Sequence, residues 1–496
     1  MYSGLLLGVL AYELVVIVGL GIWLQSRHSS GSASEFALAG RDLPTPVVAV
    51  TLALTVLGTA HILGVFEMAW MMGAVAAWFS IAHVILLTFV CLGSGLWVRR
   101  LGVTTVPELL QKTYGMEVRL LVSCVLAGVL FGILTVEAQG IGIIFATLTN
   151  WSIQTGAIVG GILGILYVIF AGMREIGWVN LVNVCIMYLG LILAVIFIAF
   201  AIPGGGGYES VGTFYAETDQ ASALSIWGTP ELFVNFALLN VVAVFFSQSV
   251  NQMLLQPAMA ARSEKTIRKA LWIAAPVNGL FGIVAVIIAL TARAQPEFAQ
   301  LPGAEKIGAT TMLIEYLPAW LSALLLASFL AAILSTFAIV ALSIATVFAQ
   351  DIFKALYVPR AGPELVTRVI RLTIIVVASI AIAVASFLPP ILAAMIWLFA
   401  WLTPVFWILV VGLFWTRNSA AAIATLLAAW ITNFLWSFSD LPQWLGFENG
   451  ANYNAYATTL VSAIVIVVLS LFLKGKPGLL SRNKPIAMAS SPVVGG

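Results

Sequence analysis

The sequence predicts an all-α polytopic membrane protein that crosses the bilayer about thirteen times and has a core of two inverted five-helix repeats. Three observations predict this class. Of the 496 residues, 62% are hydrophobic and only 8% are charged, which is too few charges to cover a soluble globule. The mean hydropathy of +1.09 indicates many apolar spans within one body. The basic residues are also distributed unequally among the loops that connect these spans.

Thirteen apolar segments are long enough to cross the hydrocarbon layer, which takes about 20 helical residues. The predicted spans are residues 3–24, 45–71, 74–97, 118–146, 154–172, 177–202, 230–254, 268–292, 311–345, 366–387, 389–413, 418–437 and 456–473. The first span has neither a basic start nor a small-residue cleavage site, so we interpret it as a retained helix and not as a signal peptide.

The basic residues predict the orientation of the spans, because short cytoplasmic loops collect Lys and Arg. If the amino terminus lies outside, every Lys and Arg except Arg293 and Lys306 falls on the cytoplasmic side. We therefore expect a protein of the cell (inner) membrane with an outer amino terminus and a cytoplasmic carboxyl terminus. The net charge of only +2 argues against nucleic acid as a partner.

A glycine-rich outer loop divides the core into two sets of five spans. A block with an odd number of helices inserts in the opposite orientation from the next block, as in inverted-repeat transporters. The predicted organisation is a leading transmembrane helix and cytoplasmic loop (1–44), a first five-helix repeat (45–202), an outer loop (203–229), a second five-helix repeat (230–413), two C-terminal helices (414–473) and a cytoplasmic tail (474–496). This symmetry is inferred from topology and not from a repeated sequence.

The first span of each repeat is interrupted by polar or small residues. Polar groups are costly inside a membrane and therefore informative. In the first repeat the interrupting residues are Thr55, Gly58, Thr59, His61 and Gly64. In the second repeat they are Ser247, Gln248, Ser249, Asn251, Gln252 and Gln256. Interruptions at matching positions predict broken first and sixth core helices around a central solute site.

Other polar residues inside the spans have two interpretations each. Ser335 and Thr336 offer adjacent hydroxyl oxygens to a hard cation, but such a pair more often bonds only to its own helix. His61 and Glu137 could bind a proton or a solute, or they could be satisfied interior groups. For His83 we prefer the structural role. No zinc, phosphate-loop or nucleophile-elbow motif is evident, so we do not expect an enzyme.

Several strings in the chain resemble the sodium:solute symporter family, which contains proline, pantothenate, sialic acid and sugar symporters. These strings are FALAGR at 36–41, GTAHILG at 58–64, TVPELLQ at 105–111, NQMLLQ at 251–256, AILST at 332–336 and DIFK at 351–354. The resemblance implies a LeuT-type core of ten helices that works by alternating access. It also implies sodium as the transported ion, no organic cofactor, and a sodium site. The implied sodium ligands are Leu54, Leu57, Ala332, Ser335 and Thr336.

The chain departs from the family pattern at positions that bear on the number of ions and on the solute. Members that use an additional sodium place Thr-Asp where this chain has Val179 and Asn180, so Asn180 marks a lost second-sodium position and one sodium per cycle is expected. Ser247 and Gln248 stand where the sugar-transporting branch has aromatic residues, which argues against a sugar. The expected solute contacts are His61, Gln248, Asn251 and Gln252, with Glu137 as a possible proton or solute contact.

The sequence thus predicts a secondary active transporter that couples sodium to the symport of a small organic solute, an amino acid or short carboxylate in preference to a sugar. Sodium and solute would stabilise the same conformation and so raise each other's affinity. Two alternatives stay open. One is a proton-coupled symporter of the same fold, and the other is a solute sensor or transceptor that acts through a separate signalling partner.

Overall fold

The computed structural model describes residues 3–27, 32–149, 151–169, 172–385, 391–447 and 453–481. Small parts of predicted spans, at 170–171, 386–387 and 389–390, lie outside the described residues, as does the tail beyond Ser481.

Helices dominate the described chain, because backbone within a bilayer must satisfy its own hydrogen bonds. Up to the outer loop the helices are α1 (Ser3–Glu13), α2 (Gly19–Arg27), α3 (Ala33–Leu38), α4 (Thr45–Val56), α5 (Thr59–Met72), α6 (Trp78–Phe89), α7 (Gly95–Leu101), α8 (Val106–Tyr114), α9 (Met116–Leu148), α10 (Ile153–Ile169), α11 (Met173–Ala201) and α12 (Gly207–Glu217). The segments Leu14–Val18 and Val90–Ser94 between them are π-helical, and Ala39–Arg41 and Gly73–Ala77 are 3-10 turns.

The second half of the chain repeats this pattern of long and broken helices. They are α13 (Pro230–Leu232), α14 (Leu239–Gln248), α15 (Gln252–Ala260), α16 (Glu264–Ala294), α17 (Pro296–Ala299), α18 (Ala304–Tyr316), α19 (Ala319–Val347), α20 (Pro363–Val384), α21 (Ile391–Ala400), α22 (Thr403–Phe414), α23 (Ser419–Phe438), α24 (Leu441–Trp444) and α25 (Asn454–Phe472). The segments Phe233–Leu238 and Phe348–Tyr357 are π-helical, and Ala221–Leu224 is a 3-10 turn. Strand β1 (Thr416–Arg417) pairs antiparallel with β2 (Lys476–Pro477).

The prediction of an all-α membrane protein with about thirteen spans is confirmed. Eleven helical stretches among the described residues are long and apolar enough to cross a bilayer, and the shorter apolar helices α4 and α10 supply the remaining predicted spans. The prediction of one span over 311–345 is wrong in its first part, because α18 ends at Tyr316 and α19 begins at Ala319. Proline at 318 favours an extended conformation at Leu317, which ends the helix there.

Helix α19 runs through the interior of the bundle. In the span that contains α19, 89% of the residues in the apolar stretch of 18 residues are buried, against 22% for the span formed by α25. A helix that is hydrophobic on every side is expected to be enclosed by other helices, and α19 packs against α4, α9 and α11. Residues on any face of α19 can therefore reach the centre of the fold.

One end of the bundle carries the connections 102–105 and 261–263, and we call it the basic end. There the Leu43 N–H donates to the Ala260 carbonyl at 3.0 Å, and the Leu43 carbonyl accepts from the Arg262 N–H at 3.2 Å. This short parallel bridge holds the start of α4 beside the end of α15. Helix α4 precedes the first predicted break and helix α15 follows the second, so the two helices are joined at the basic end.

A buried ion pair also closes the basic end. Arg119 Nη2 lies 2.6 Å from Asp351 Oδ1, and Arg119 Nε donates to the same oxygen at 2.8 Å. The Thr105 hydroxyl donates to that oxygen as well, at 2.9 Å, and Arg119 donates to Gln111 and to the Gln350 carbonyl. The Asp351 side chain is fully buried. The pair therefore joins the start of α9 to the continuation of α19.

Candidate ion and solute site

The first break separates α4 from α5 at Leu57 and Gly58. Leu57 adopts ψ 49° and Gly58 adopts ψ −157°, and neither value is helical. The last carbonyls of a helix have no partner within it and must find other donors. One of them, that of Val56, lies 2.7 Å from His61 Nδ1. The predicted break in the first core helix is confirmed.

The second break separates α14 from α15 at residues 249–251. Asn251 caps α15: its side-chain oxygen accepts the Met253 N–H at 3.2 Å, and its amide donates to Gln248 Oε1 at 3.0 Å. Asparagine is among the preferred residues for starting a helix in this way. The Ser249 hydroxyl is buried with no hydrogen-bond partner among the described residues. The predicted break in the sixth core helix is confirmed.

Helix α19 crosses the end of α4 at Ser335 and Thr336. The Thr336 hydroxyl donates to the Leu54 carbonyl at 2.9 Å and lies 3.3 Å from the Ala332 carbonyl of its own helix. Ser335 Oγ is buried and makes no hydrogen bond of normal geometry with the described residues. Leu57 is fully buried at the break itself. Free carbonyl and hydroxyl oxygens at a broken helix are the groups that coordinate sodium in transporters.

Glu137 of α9 caps the first turn of α5. Its Oε2 accepts the Thr59 N–H at 2.8 Å. A Cβ at Gly58 would lie 2.5 Å from Glu137 Oε1, and a Cβ at Gly140 would collide with the Thr59 hydroxyl. Glycine at these two positions therefore allows α9 to approach the break closely. The carboxylate lies at the positive end of the α5 dipole, where a negative group is stabilised.

A small cavity of about 20 Å³ lies between the two breaks, which is enough space for about one water molecule. Its polar lining residues are Thr55, His83, Glu137, Gln248 and Thr336. Its larger apolar lining residues are Phe79, Ile133, Met253, Met395 and Phe399. Because Thr336 lines the cavity and also contacts the end of α4, the candidate ion and solute positions adjoin each other.

His61 and His83 pack against each other beside the cavity. Their ring centroids are 4.4 Å apart, and the Phe79 ring lies 4.7 Å from that of His61. His83 lines the cavity, whereas His61 turns Nδ1 towards the Val56 carbonyl. His61 Nε2 is buried with no hydrogen-bond partner in the described part of the chain. His83 and Phe79 were not among the predicted solute contacts, because the sequence does not show which face of α6 lines the cavity.

Gln252 lies on the basic-end side of the second break. Its Oε1 accepts the Val106 N–H at 2.9 Å, and its amide donates to the Thr104 carbonyl at 3.2 Å. Both polar groups of the side-chain amide therefore bond to the loop before α8. Gln252 is not among the residues that line the cavity. Among the other predicted contacts, Gln248 and Glu137 line the cavity.

Asn180 belongs to a chain of neutral hydrogen bonds outside the cavity. Its Oδ1 accepts from the Tyr167 hydroxyl at 2.9 Å, and that hydroxyl accepts from Asn183 Nδ2 at 2.8 Å. Asn183 in turn accepts from the Tyr12 hydroxyl at 2.7 Å. The position predicted to be a lost second-sodium position thus holds an amide that accepts a hydrogen bond from a tyrosine.

Replacing Gly58 with alanine is expected to destabilise the protein by about 1–3 kcal/mol, because the added methyl group would take the place of the Glu137 carboxylate and displace it from the Thr59 N–H. Thermal unfolding of the purified variant measures this. Gly64→Ala is the matched control, since a Cβ there meets only ordinary contacts at 3.7 Å. Equal melting temperatures for the two variants would contradict the close approach.

These features define a class of protein. Two helices broken within the bundle, a hydroxyl-bearing helix across one break and a cavity between both breaks are the architecture of a LeuT-fold secondary transporter. The fold is similar to that of a Na⁺-coupled sialic acid symporter in its substrate-bound outward-open state, with a TM-score of 0.79 at 16% identity over 95% of this chain and 98% of that chain. It is also similar to Mhp1, a nucleobase-cation-symport-1 family transporter, with a TM-score of 0.56 at 15% identity over 91% and 98% of the two chains.

The chain belongs to the sodium:solute symporter family, whose sequence model matches residues 36–429. It is 25% identical to the uncharacterized symporter YidK of Escherichia coli (strain K12), over 94% of this chain and 83% of YidK. It is 23% identical to the sodium/glucose cotransporter of Vibrio parahaemolyticus, over 93% and 89% of the two chains. The chain is therefore a multi-pass membrane transporter and not an enzyme, and the family implies sodium as the co-transported ion.

Proposed function

We propose that the protein couples sodium binding, where α19 crosses the end of α4, to the transport of a small organic solute held between the two breaks. The proposed ligands are the carbonyl oxygens of Leu54, Leu57 and Ala332 and the hydroxyl oxygens of Ser335 and Thr336. The observation that carries the proposal is the 2.9 Å contact between Thr336 Oγ1 and the Leu54 carbonyl. This contact joins α19 to the broken end of α4.

Coupling between ion and solute follows from the position of Thr336. With sodium bound, its hydroxyl would turn its proton away from the Leu54 carbonyl, and both oxygens would face the cation. That arrangement ties α19 to α4, and Thr336 also lines the cavity in which the solute would lie. An ion and a solute that stabilise one conformation raise each other's affinity reciprocally.

The solute is proposed to be an amino acid or short carboxylate in preference to a sugar, as the sequence predicts. Matching relatives are named for glucose, proline, choline and iodide, so similarity alone does not select a solute. The described lining of the cavity has a single amide, from Gln248, which favours a solute with few hydroxyl groups.

We also propose that the basic end faces the cytoplasm and that the amino terminus lies outside, in the inner cell membrane. Support comes from the basic residues that gather at that end, Arg99, Arg100 and Lys112 among them. In this orientation the Arg119–Asp351 pair closes the cytoplasmic side.

Tryptophan fluorescence of the purified protein, titrated with sodium chloride against potassium chloride at constant ionic strength, tests sodium binding. The sixteen tryptophans provide the signal. We expect a saturable change that is specific for sodium. A folded protein that responds equally to both ions would contradict the sodium site, and uptake driven by a pH gradient without sodium would favour the proton-coupled alternative.

A further inference from the structure

The carboxylate of Glu137 is the acidic group in the lining of the cavity. It is 2% exposed, lies against the break at Gly58 and lines the cavity together with Phe79 and Phe399. One of its oxygens, Oε2, is used by the Thr59 N–H. The carboxyl group therefore both caps α5 and lines the space between the two breaks.

No lysine or arginine side chain in the described part of the chain pairs with this carboxyl group. None of the ion pairs formed within the described part of the chain includes Glu137, and the described lining of the cavity contains neither Lys nor Arg. The amino-terminal end of α5 supplies only about half a positive charge. An ionised carboxylate inside a membrane protein is costly unless it is paired, and such residues commonly mark the path of a transported species.

The same carboxylate determines whether a positively or a negatively charged group of the solute can lie at the first break. The amino-terminal end of a broken helix is ordinarily a binding site for an anionic group of the solute. Here Glu137 already occupies that position over Gly58 and Thr59. A carboxylate solute placed there would meet a like charge, whereas a positively charged group would complete the pair.

The remaining lining suits the apolar part of such a solute. Phe79 and Phe399 are lining residues of the kind whose rings attract an ammonium group, and Met253 and Met395 are adaptable apolar contacts. Gln248 is the one amide in the lining, and its Nε2 has no hydrogen-bond partner among the described residues. This donor is available to an oxygen atom of the solute.

From this geometry we infer that the transported solute carries a protonated amine or a quaternary ammonium group, and that Glu137 is its counter-charge. The inference rests on the proposed function and narrows it. An amino acid meets the requirement through its ammonium group, and a short carboxylate without an amine does not.

Matched probes that differ in charge but little in shape test the inference. We would titrate the purified protein in saturating sodium and follow tryptophan fluorescence. The pairs are choline with its uncharged carbon isostere 3,3-dimethylbutan-1-ol, ethanolamine with propan-1-ol, and L-alanine with propanoate. We expect a saturable response to the ammonium member of at least one pair and none to its partner. A propanoate or alcohol response equal to that of its ammonium partner would overturn the inference, as would silence from all three ammonium probes.

Glu137→Gln tests the assignment to this residue. Glutamine keeps an oxygen that can accept the Thr59 N–H, so the cap on α5 is preserved while the charge is removed. We expect the affinity for the responding ammonium probe to fall by about 100-fold or more, since the loss of one partner of a buried charge pair has a large effect. Glu67→Gln, which removes a half-buried carboxylate further along α5, is the matched control and should retain wild-type affinity.

The sodium titration separates the two proposals. If wild type shows no sodium-specific response, the proposed function fails before the solute is in question. If Glu137→Gln loses the sodium response together with solute binding, the carboxylate serves the ion and the inference is overturned. Retention of the sodium response with selective loss of ammonium binding is the expected result.

Discussion

Replacing Thr336 with alanine is expected to weaken sodium binding by about 10-fold to 100-fold while the protein stays folded. The variant removes one hydroxyl oxygen from the crossing and also releases the Leu54 carbonyl, which that hydroxyl contacts at 2.9 Å. Interactions of this kind with a charged group contribute about 1.5–3 kcal/mol. Ser335→Ala should change the affinity in the same direction, because Ser335 Oγ is buried without a hydrogen bond of normal geometry to any described residue. The sodium dependence of tryptophan fluorescence measures both.

Two further variants make this result specific. Ser328→Ala lies on the same helix and removes a hydroxyl that, within the described part of the chain, bonds only to the Leu325 carbonyl at 2.8 Å, so it should keep wild-type sodium affinity. Thr336→Ser keeps the ligand oxygen and should retain most of the affinity. If the titration of Thr336→Ala overlays that of wild type, the ion binds somewhere else.

Replacing Arg119 with methionine is expected to lower the free energy of unfolding by about 3–5 kcal/mol. The loss is large because Asp351, whose side chain is fully buried, would lose the charged partner that lies 2.6 Å away. The Thr105 hydroxyl at 2.9 Å would remain as a weaker, neutral donor. Thermal unfolding in detergent should show a marked fall in melting temperature.

The double variant Arg119→Met, Asp351→Leu distinguishes the effect of removing one partner from the effect of replacing the whole pair. With both charges replaced by apolar groups, most of the lost stability should return. Arg100→Met is the matched control, because its ion pair with Glu264 is largely exposed and such pairs contribute less than about 1 kcal/mol. Equal falls in melting temperature for Arg100→Met and Arg119→Met would contradict the role assigned to burial.

Hydropathy was sufficient to predict the membrane spans, because it depends on composition over lengths of about 20 residues. It was insufficient at the junction of α18 and α19, because the single charge of Glu315 did not lower the local hydropathy enough to reveal the break at Leu317 and Pro318. The broken helices could be predicted for a different reason. Gly58 and Asn251 are poor residues for the interior of a membrane helix, and each lies at the break that it indicates.

The site was predictable only in part. Polar residues stand out in apolar spans, and so Glu137, Gln248 and Thr336 were singled out and do line the cavity. Gln252 was selected by the same criterion, yet it holds the loop before α8, because a buried amide satisfies itself wherever backbone groups are in reach. Phe399 could not be selected at all. An aromatic residue that lines a cavity has the same sequence signature as one that packs between helices.

The enclosure of α19 has a consequence for how the protein senses its bilayer. Mismatch between a helix and the thickness of the membrane acts through residues that touch lipid. Outer helices such as α25 are exposed to that force, and α19 is shielded from it by its neighbours. Because Ser335 and Thr336 sit on the shielded helix, the lipid composition should alter how fast the outer helices rearrange and leave the intrinsic affinity for the ion unchanged.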